Sequence, residues 1–350
     1  MLGKSYTELV LIRLCIIGFR LITPLSIAYL AGCLYTGTAL FLPYLWPYAA
    51  TEAFFYLCIF VPRRLRLQKA AEHPPMSQEE RKELFDKCAV SMTAASTLHW
   101  FPSKERSTSR VRRDNAVAWL LWALFATDIN EAAEEWEEEL ENYLGIMTKF
   151  LGYPLDKGHN PDLQCMRLTL DPVIIIHRPL VWYMIVGLVD TITTISLYFT
   201  GFRHFDTPKW FRVFPPRPLL VLFSNKSADS KIPYWYRPHR STTKHPILFI
   251  HGIGIGLWLY IPFFRELIEQ DPDVGILAIE ILPVSMRITD PPLAKDAMCA
   301  AIARVLDAHG LPRVVVASHS YGTVVTGHLL QSPALAPRVA STLFVDPIPF

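Results

Sequence analysis

Residues 311–330 read LPRVVVASHSYGTVVTGHLL. Residues 314–317 are a short apolar, β-branched run of the kind that forms a buried parallel strand. Ser318-His319-Ser320-Tyr321-Gly322 follows, and 323–330 reads as a helix. A strand, a sharp turn with a central serine and a helix together describe a nucleophile elbow: the turn strains the serine backbone and lifts Oγ clear of the sheet. Gly322 lets the helix return close under the strand. The usual pattern is G-x-S-x-G, and here Ser318, a small residue, stands at the first glycine position. A serine-rich strand-to-helix turn in any α/β domain would read the same way, so a second motif has to discriminate.

Residues 247–250 (ILFI) are another buried-strand run, leading into His251-Gly252-Ile253-Gly254-Ile255-Gly256. An elbow serine works with an oxyanion hole built from the amide after the nucleophile and an amide in the loop after an earlier strand. In this chain those are the Tyr321 and Ile253 amides. His251, Gly252 and Gly254 shape the loop, and its glycines allow close approach to a carbonyl. A phosphate-binding loop fits poorly, because neither GxGxxG nor GK[ST] is present. Glu280, near the end of the next strand, lacks the glycine fingerprint a ribose ligand needs.

Residues from about 214 onward resemble the first part of an α/β-hydrolase domain. The wider pattern resembles a group of fungal membrane-anchored α/β-hydrolase-fold proteins. The matching stretches are HPPMSQEER, CMRLTLDP, HRPLVWYMIVGLVDT, VFPPRPL, YWYRPH, LFIHGIGIGLW, EILPVSMRIT and SHSYGTVV. The resemblance implies an α/β class: an α/β-hydrolase-like, mostly parallel sheet, C-terminally incomplete, preceded by transmembrane helices and a helical region. The expected division is 1–69, membrane region; 70–213, helical region; 214–350, partial hydrolase domain.

Composition points to a membrane. Of the 350 residues 51% are hydrophobic and only 19% charged, and the mean hydropathy is +0.24; this is too apolar for an ordinary soluble enzyme. A net charge of +2 carries no argument for a nucleic-acid partner. The six cysteines show no metal-type spacing and read as free, buried thiols. No metal or cofactor is expected.

The N-terminus does not read as a convincing signal peptide, because Arg13 and Arg20 interrupt its apolar run and no tidy small-residue cleavage site follows. Residues 21–51 carry no charge, and Glu52 then stands alone before 53–61. A spanning helix needs roughly twenty apolar residues, so two spans fit, near 9–30 and 39–61. Pro43 and Pro47 would bend the second and Pro62 would end it. Lys4 precedes the pair, and Arg63, Arg64, Arg66 and Lys69 follow. If both basic ends are cytosolic, the pair is a hairpin, the protein is integral to a membrane and the hydrolase domain faces the cytosol.

Residues 180–202 are ambiguous. They are long enough to span, but Asp190 near the midpoint costs roughly 3 kcal/mol on insertion. Asp190, Thr193, Thr194 and Leu197 share one side, which suits an interfacial, lid or packed helix; a third span stays open. Asn225-Lys226-Ser227 is a glycosylation sequon only if a further span moves the C-terminal region across the membrane.

Between 70 and 160 the chain reads as soluble and helical. Ser77-x-x-Glu80 resembles a capping box, residues 115–126 form an apolar helix, and Asp128-x-x-Glu131 caps the next. Trp136, Leu140, Tyr143, Leu144 and Met147 then recur at helical spacing. The seven glutamates between Glu131 and Glu141 read as a solvated face rather than a cation site, which needs convergent oxygens. Further on, 207–218 is a proline-rich linker. Residues 219–224 and 234–237 are expected to pair as antiparallel strands, followed by strands at 247–250, 274–281, 314–317 and 341–345. Helices at 258–270 and 294–309 alternate with them, predicting a doubly wound sheet.

A serine nucleophile needs an imidazole base and a carboxylate to orient it, in the order Ser, acid, His in this fold. Asp346 ends the last strand, where an acid could stand; a structural Asp-Pro turn is the competing reading. The only histidine after Ser320 is His328, about two turns along the elbow helix. His251 and His319 read as loop-shaping. The sequence stops at Phe350, before the strands expected to carry the base. Two functions follow. One is a membrane-anchored serine hydrolase with Ser320 as nucleophile and Asp346 as acid. Its partners are the lipid membrane and a hydrophobic ester or lipid substrate, met by a rim of Ile255, Leu257 and Trp258; an acyltransferase is its variant. The other is a catalytically silent or truncated hydrolase-fold membrane protein with a binding role.

Overall fold

The structure is a computed structural model that describes residues 5–40, 44–69, 75–90, 92, 100–101, 110–207 and 213–348. It divides into two compact units: Met1–Leu42 with Arg178–Phe350, and Pro43–His177.

The first unit is built on a seven-stranded sheet of order β2-β1-β3-β5-β4-β6-β7. The strands are β1 (Arg203–Asp206), β2 (Asn225–Lys226), β3 (Tyr234–Arg237), β4 (Ile247–Ile250), β5 (Ile276–Ile279), β6 (Val314–His319) and β7 (Val339–Val345). β3 runs antiparallel to β1 and β5; the pairs β4–β5, β4–β6, β6–β7 and β1–β2 are parallel. The period-2 alternation of a strand sorts the apolar residues onto two faces. Leu248, Ile250, Leu277, Ile279, Val314 and Val316 pack on one side with helices Lys295–Ala308 and Tyr321–Gln331. Phe249, Ile276, Ala278 and Ala317 pack on the other with Phe264 of helix Ile261–Gln270 and Leu197 of helix Leu180–Phe199. Covering both faces is what a near-continuous apolar strand such as β5 requires. The fold is α/β: a mostly parallel sheet with helices packed on both faces.

One expected strand is absent. Residues 219–224 fall largely in a short helix, Pro218–Phe223, and the strand that pairs antiparallel with β3 on the side away from β5 is β1, in a segment not expected to be a strand. Proline in the first helical turn supplies the helical φ without losing a needed donor, and six apolar residues carry too little periodicity to choose between states. β5 is shorter than expected and β7 starts at Val339. Part of the linker, 208–212, lies outside the described residues, as do Lys4 and Pro43.

Among the described residues, three helices are long and apolar enough to cross a membrane: Tyr6–Thr36, Leu45–Arg66 and Leu180–Phe199. Pro62 does not end the second. The chain passes from helix Leu45–Phe55 through a π turn, Tyr56–Phe60, into helix Val61–Arg66, with Pro62 in its first turn. The π turn resets the hydrogen-bond register, and a first-turn proline has no donor to lose. Pro47 sits likewise in the first turn of its helix rather than bending it. In Leu180–Phe199 the two faces differ: Val186, Asp190, Thr193, Thr194 and Leu197 are buried, while Met184, Leu188, Ile192 and Phe199 are exposed.

In the second unit, helices Gln78–Ala89, Arg113–Phe125 and Glu137–Leu151 share one core, with Leu120, Leu121 and Met147 fully buried. The Ser77–Glu80 capping box forms in both directions. Six of the seven glutamates are exposed, but Glu139 turns inward and takes a bidentate contact from Arg81 at 2.9 and 2.6 Å. Glu52, alone in its apolar helix, is buried and paired to His177 at 3.0 Å.

Candidate active site

β6 ends at His319, and helix Tyr321–Gln331 begins two residues later, so Ser320 alone makes the turn. Its backbone lies at φ 49°, ψ −119°, a region that costs a non-glycine residue of the order of 1–3 kcal/mol. Hydrogen bonds hold it there: Ser320 N–H donates to the Val345 carbonyl at 3.0 Å, and the Thr323 amide and hydroxyl donate to Ser320 O at 2.8 and 2.7 Å. Gly322 passes so close to β4 that a Cβ there would lie 2.2 Å from Ile250 O.

The parallel register Ile250↔Ser318 brings the end of β4, and so the His251–Gly256 loop, beside the elbow. A Cβ on Gly252 would lie 2.8 Å from Ser320 Cβ, so only a glycine backbone fits against the serine. His251 is fully buried; Nε2 accepts from Ile281 N–H at 2.9 Å and Nδ1 donates to Gly252 O at 2.8 Å. Burial lowers its pKa and keeps it neutral, so both nitrogens serve the loop. Gly254 N–H donates to Val284 O at 3.0 Å. Ile253 is exposed, and among the described residues neither its amide nor that of Tyr321 has a protein acceptor.

Tyr260 was not legible as a site residue. Its hydroxyl accepts from Gly252 N–H at 3.2 Å and faces His319 Nδ1 at 2.8 Å, so it donates to the imidazole and ties loop to elbow. No motif marks it; it is one aromatic residue in a short 3₁₀ turn, Trp258–Tyr260. Leu257, expected at an apolar rim, is instead buried in the core, whereas Trp258 is exposed and Ile255 half-buried. Ser318 Oγ is buried without a hydrogen-bond partner. Removing it in Ser318→Ala is expected to leave stability unchanged or raise it by up to about 1 kcal/mol, because a desolvated hydroxyl with no partner only costs; a denaturant titration checks this.

Asp346 follows directly on Val345, whose carbonyl holds the Ser320 amide, and has φ 51°. It is exposed, and its carboxylate makes no hydrogen bond among the described residues. His328 is half-buried on the elbow helix, with its pKa lowered chiefly by burial. No imidazole bonds Ser320 Oγ among the described residues, and none of their His, Cys, Asp and Glu side chains form a group that could hold a metal.

A buried ionic cluster lies in the same unit. Arg217 donates to Asp190 at 2.9 and 3.1 Å and to Glu280 at 2.9 and 2.7 Å. Arg287 pairs with Asp190 at 2.6 Å; His204 at 3.0 Å and Trp235 at 3.2 Å complete Glu280. The Asp190 carboxylate is thus buried against two guanidinium groups. Glu280, offered above only as a ribose ligand, has its oxygens occupied. The cluster reaches the site through 281–287, whose Val284 carbonyl holds Gly254.

Burial alone would raise the Glu280 pKa, but the charge of Arg217 and the His204 hydrogen bond hold it well below the ordinary 4.5. The folded state therefore binds fewer protons than the unfolded state. This contribution is complete above a pH of about 4.5 and is lost as pH falls further. Glu280→Gln is expected to flatten the acid limb of the stability profile, read from thermal melts between about pH 7 and about pH 3.

No family model matches the chain, and no curated protein does. Among solved structures, a bacterial membrane phospholipase A is 15% identical with a TM-score of 0.30, over 47% of this chain and 46% of that one. A carboxylesterase of the archaeon Nitrososphaera gargenis is 16% identical with a TM-score of 0.27, over 32% and 41%. The juvenile hormone epoxide hydrolase of the silkworm Bombyx mori is 13% identical with a TM-score of 0.27, over 32% of each chain. The chain spans less than half the length of these structures.

Proposed function

We propose that the protein is a membrane-anchored serine hydrolase acting on a hydrophobic ester or lipid. Ser320 Oγ attacks the acyl carbonyl; the carbonyl oxygen becomes an oxyanion held by the Ile253 and Tyr321 amides. The ester C–O bond then breaks, the leaving alcohol takes a proton, and water releases the acyl group from Ser320. Asp346, beside the elbow at the end of β7, is the carboxylate offered to orient the base that accepts the Oγ proton. The observation that carries this reading is the strained Ser320 backbone, abutted by Gly252 and stabilised by three hydrogen bonds. Strain of this kind persists where the surroundings enforce it, and active sites are where it clusters.

The substrate class rests on the surroundings. The turn carrying Trp258 and Leu259 packs against helix Leu180–Phe199, whose Met184, Leu188 and Phe199 are exposed. Such an apolar face suits the lipid–water boundary. The basic residues Arg63, Arg64 and Arg66 support a cytosolic hydrolase region.

The test is fluorophosphonate labelling of the 350-residue chain in lipid, with serine variants. Saturable labelling should be lost in Ser320→Ala, with any esterase turnover falling by about 10⁴-fold or more, and should persist in Ser318→Ala. Equal losses in both variants would sink the elbow assignment. A second reading, a catalytically silent scaffold, is favoured by the lack of an imidazole on Ser320 Oγ among the described residues; absence of wild-type labelling would select it.

A further inference from the structure

Helix Leu180–Phe199 leaves one stripe uncovered. Met184, Leu188, Ile192, Ile195 and Phe199 recur every three or four residues, and all are exposed. Asp190, the one charged residue of the helix, is turned the other way into the ionic cluster. Elements packed beside the helix also expose apolar side chains: Leu222 and Phe223 on helix Pro218–Phe223, and Leu259 in the turn Trp258–Tyr260. An uncharged stripe of this length is a contact surface.

The opposite face decides how the helix meets a bilayer. Val186, Asp190, Thr194 and Leu197 are buried, and Leu197 joins Trp235, Phe249 and Phe264 in the core on that side of the sheet. From Val186 to Leu197 is about 16 Å of helix. A crossing helix would draw these partners into a hydrocarbon layer about 30 Å thick. Helix Ile261–Gln270, which packs on Leu180–Phe199, would follow with its exposed Arg265, Glu266 and Glu269. Charges are costly there.

The N-terminal end identifies the occupant. Trp182 meets Phe19 edge to face at 5.8 Å, and Phe19 belongs to Tyr6–Thr36, a helix apolar enough to cross a membrane. Exposed Arg178 stacks over Trp182 at 5.4 Å. An indole between an apolar helix of spanning length and an exposed cation is the side-chain pattern of a membrane boundary.

We propose that helix Leu180–Phe199 lies in the plane of the bilayer surface rather than across it, its exposed stripe sunk about 5–10 Å to the headgroup–acyl boundary. The α/β unit then docks on the membrane through this stripe. The proposal does not rest on the hydrolase reading.

The experiment uses the 350-residue chain in phosphatidylcholine nanodiscs. Two photolipids are compared, phosphatidylcholines with a diazirine beside the ester or at the acyl terminus, and labelled residues are mapped by mass spectrometry. The ester-proximal probe should label Met184, Leu188, Ile192, Ile195 and Phe199 to within about two-fold of one another and prevail over the terminal probe at each. A spanning helix gives another pattern, with the terminal probe prevailing at Leu188 and Ile192 and the ester-proximal probe at the ends. That pattern, or a stripe labelled by neither probe because water or protein covers it, would overturn the proposal. Leu188→Asp with Ile192→Asp places two charges at exposed positions. It should cut labelling of Met184 and Phe199 about ten-fold and leave labelling of helix Tyr6–Thr36 unchanged. Undiminished labelling of the stripe in that variant would also overturn it. The parent pattern needs no substitution, so it decides the matter even if the double variant does not fold.

Discussion

Arg217→Ala is expected to destabilise the α/β unit by about 3–5 kcal/mol, the cost of leaving a buried charge unpaired. Arg217 is the one guanidinium that bonds both Asp190 and Glu280 among the described residues, with four hydrogen bonds between them. Burial by itself would lower its pKa, but the two carboxylates outweigh that and keep it protonated. Without it, Asp190 retains Arg287, and Glu280 retains His204 and Trp235. Glu280 would then have no guanidinium partner. Arg287 is a poor substitute, because its Nε and Nη1 are already buried without partners and its pKa is lowered by burial. The measurement is a urea titration of the 350-residue chain in detergent. Adding Glu280→Gln to Arg217→Ala should return part of the loss, since it removes one of the stranded charges. A single-variant loss under about 1 kcal/mol would mean that water solvates the cluster and that the ion pairs contribute little.

Gly322→Ala should be about as damaging for a different reason. The added Cβ would meet backbone atoms, Ile250 O at 2.2 Å, Ile250 C at 2.8 Å and His251 O at 3.0 Å. No rotamer change moves a carbonyl, and Ile250 is pinned on both sides by Ile279 of β5 and Ser318 of β6. Either the elbow helix or the loop must shift, and both hold Ser320. A loss of about 3 kcal/mol or more is expected, together with loss of fluorophosphonate labelling if Ser320 is the nucleophile. Gly327→Ala on the same helix is the control. A Cβ there meets nothing within 4 Å, so helix propensity alone predicts a gain of up to about 1 kcal/mol. Equal behaviour of the two variants in thermal melts would contradict the close helix-to-strand approach.

The resemblance quoted above and the ionic cluster meet in one place. Asp190 comes from HRPLVWYMIVGLVDT, Arg217 from VFPPRPL, Trp235 from YWYRPH, and Glu280 and Arg287 from EILPVSMRIT. Read separately, these are polar residues in apolar stretches. Assembled, they anchor helix Leu180–Phe199 and segment 213–219 to the end of β5 and the loop that holds Gly254. These contacts set where the loop beside Ser320 stands.

What the sequence determined by itself is local. The elbow, the Ser77 capping box, the β4, β5 and β6 runs and the amphipathic helix Glu137–Leu151 each declare themselves within a few residues. Turn chemistry, capping and periodicity depend on near neighbours, and those are written side by side. Tertiary structure decided the rest: that 203–206 is the strand beside β3 while 218–223 is a helix, that Tyr260 joins Gly252 to His319, and that Asp190 is a buried ion-pair partner. Each of these depends on a group distant along the chain, such as Arg217 or Glu280 for Asp190 and Trp235. A short apolar run or a lone charge takes its state from what packs on it, and only the folded chain supplies that neighbour.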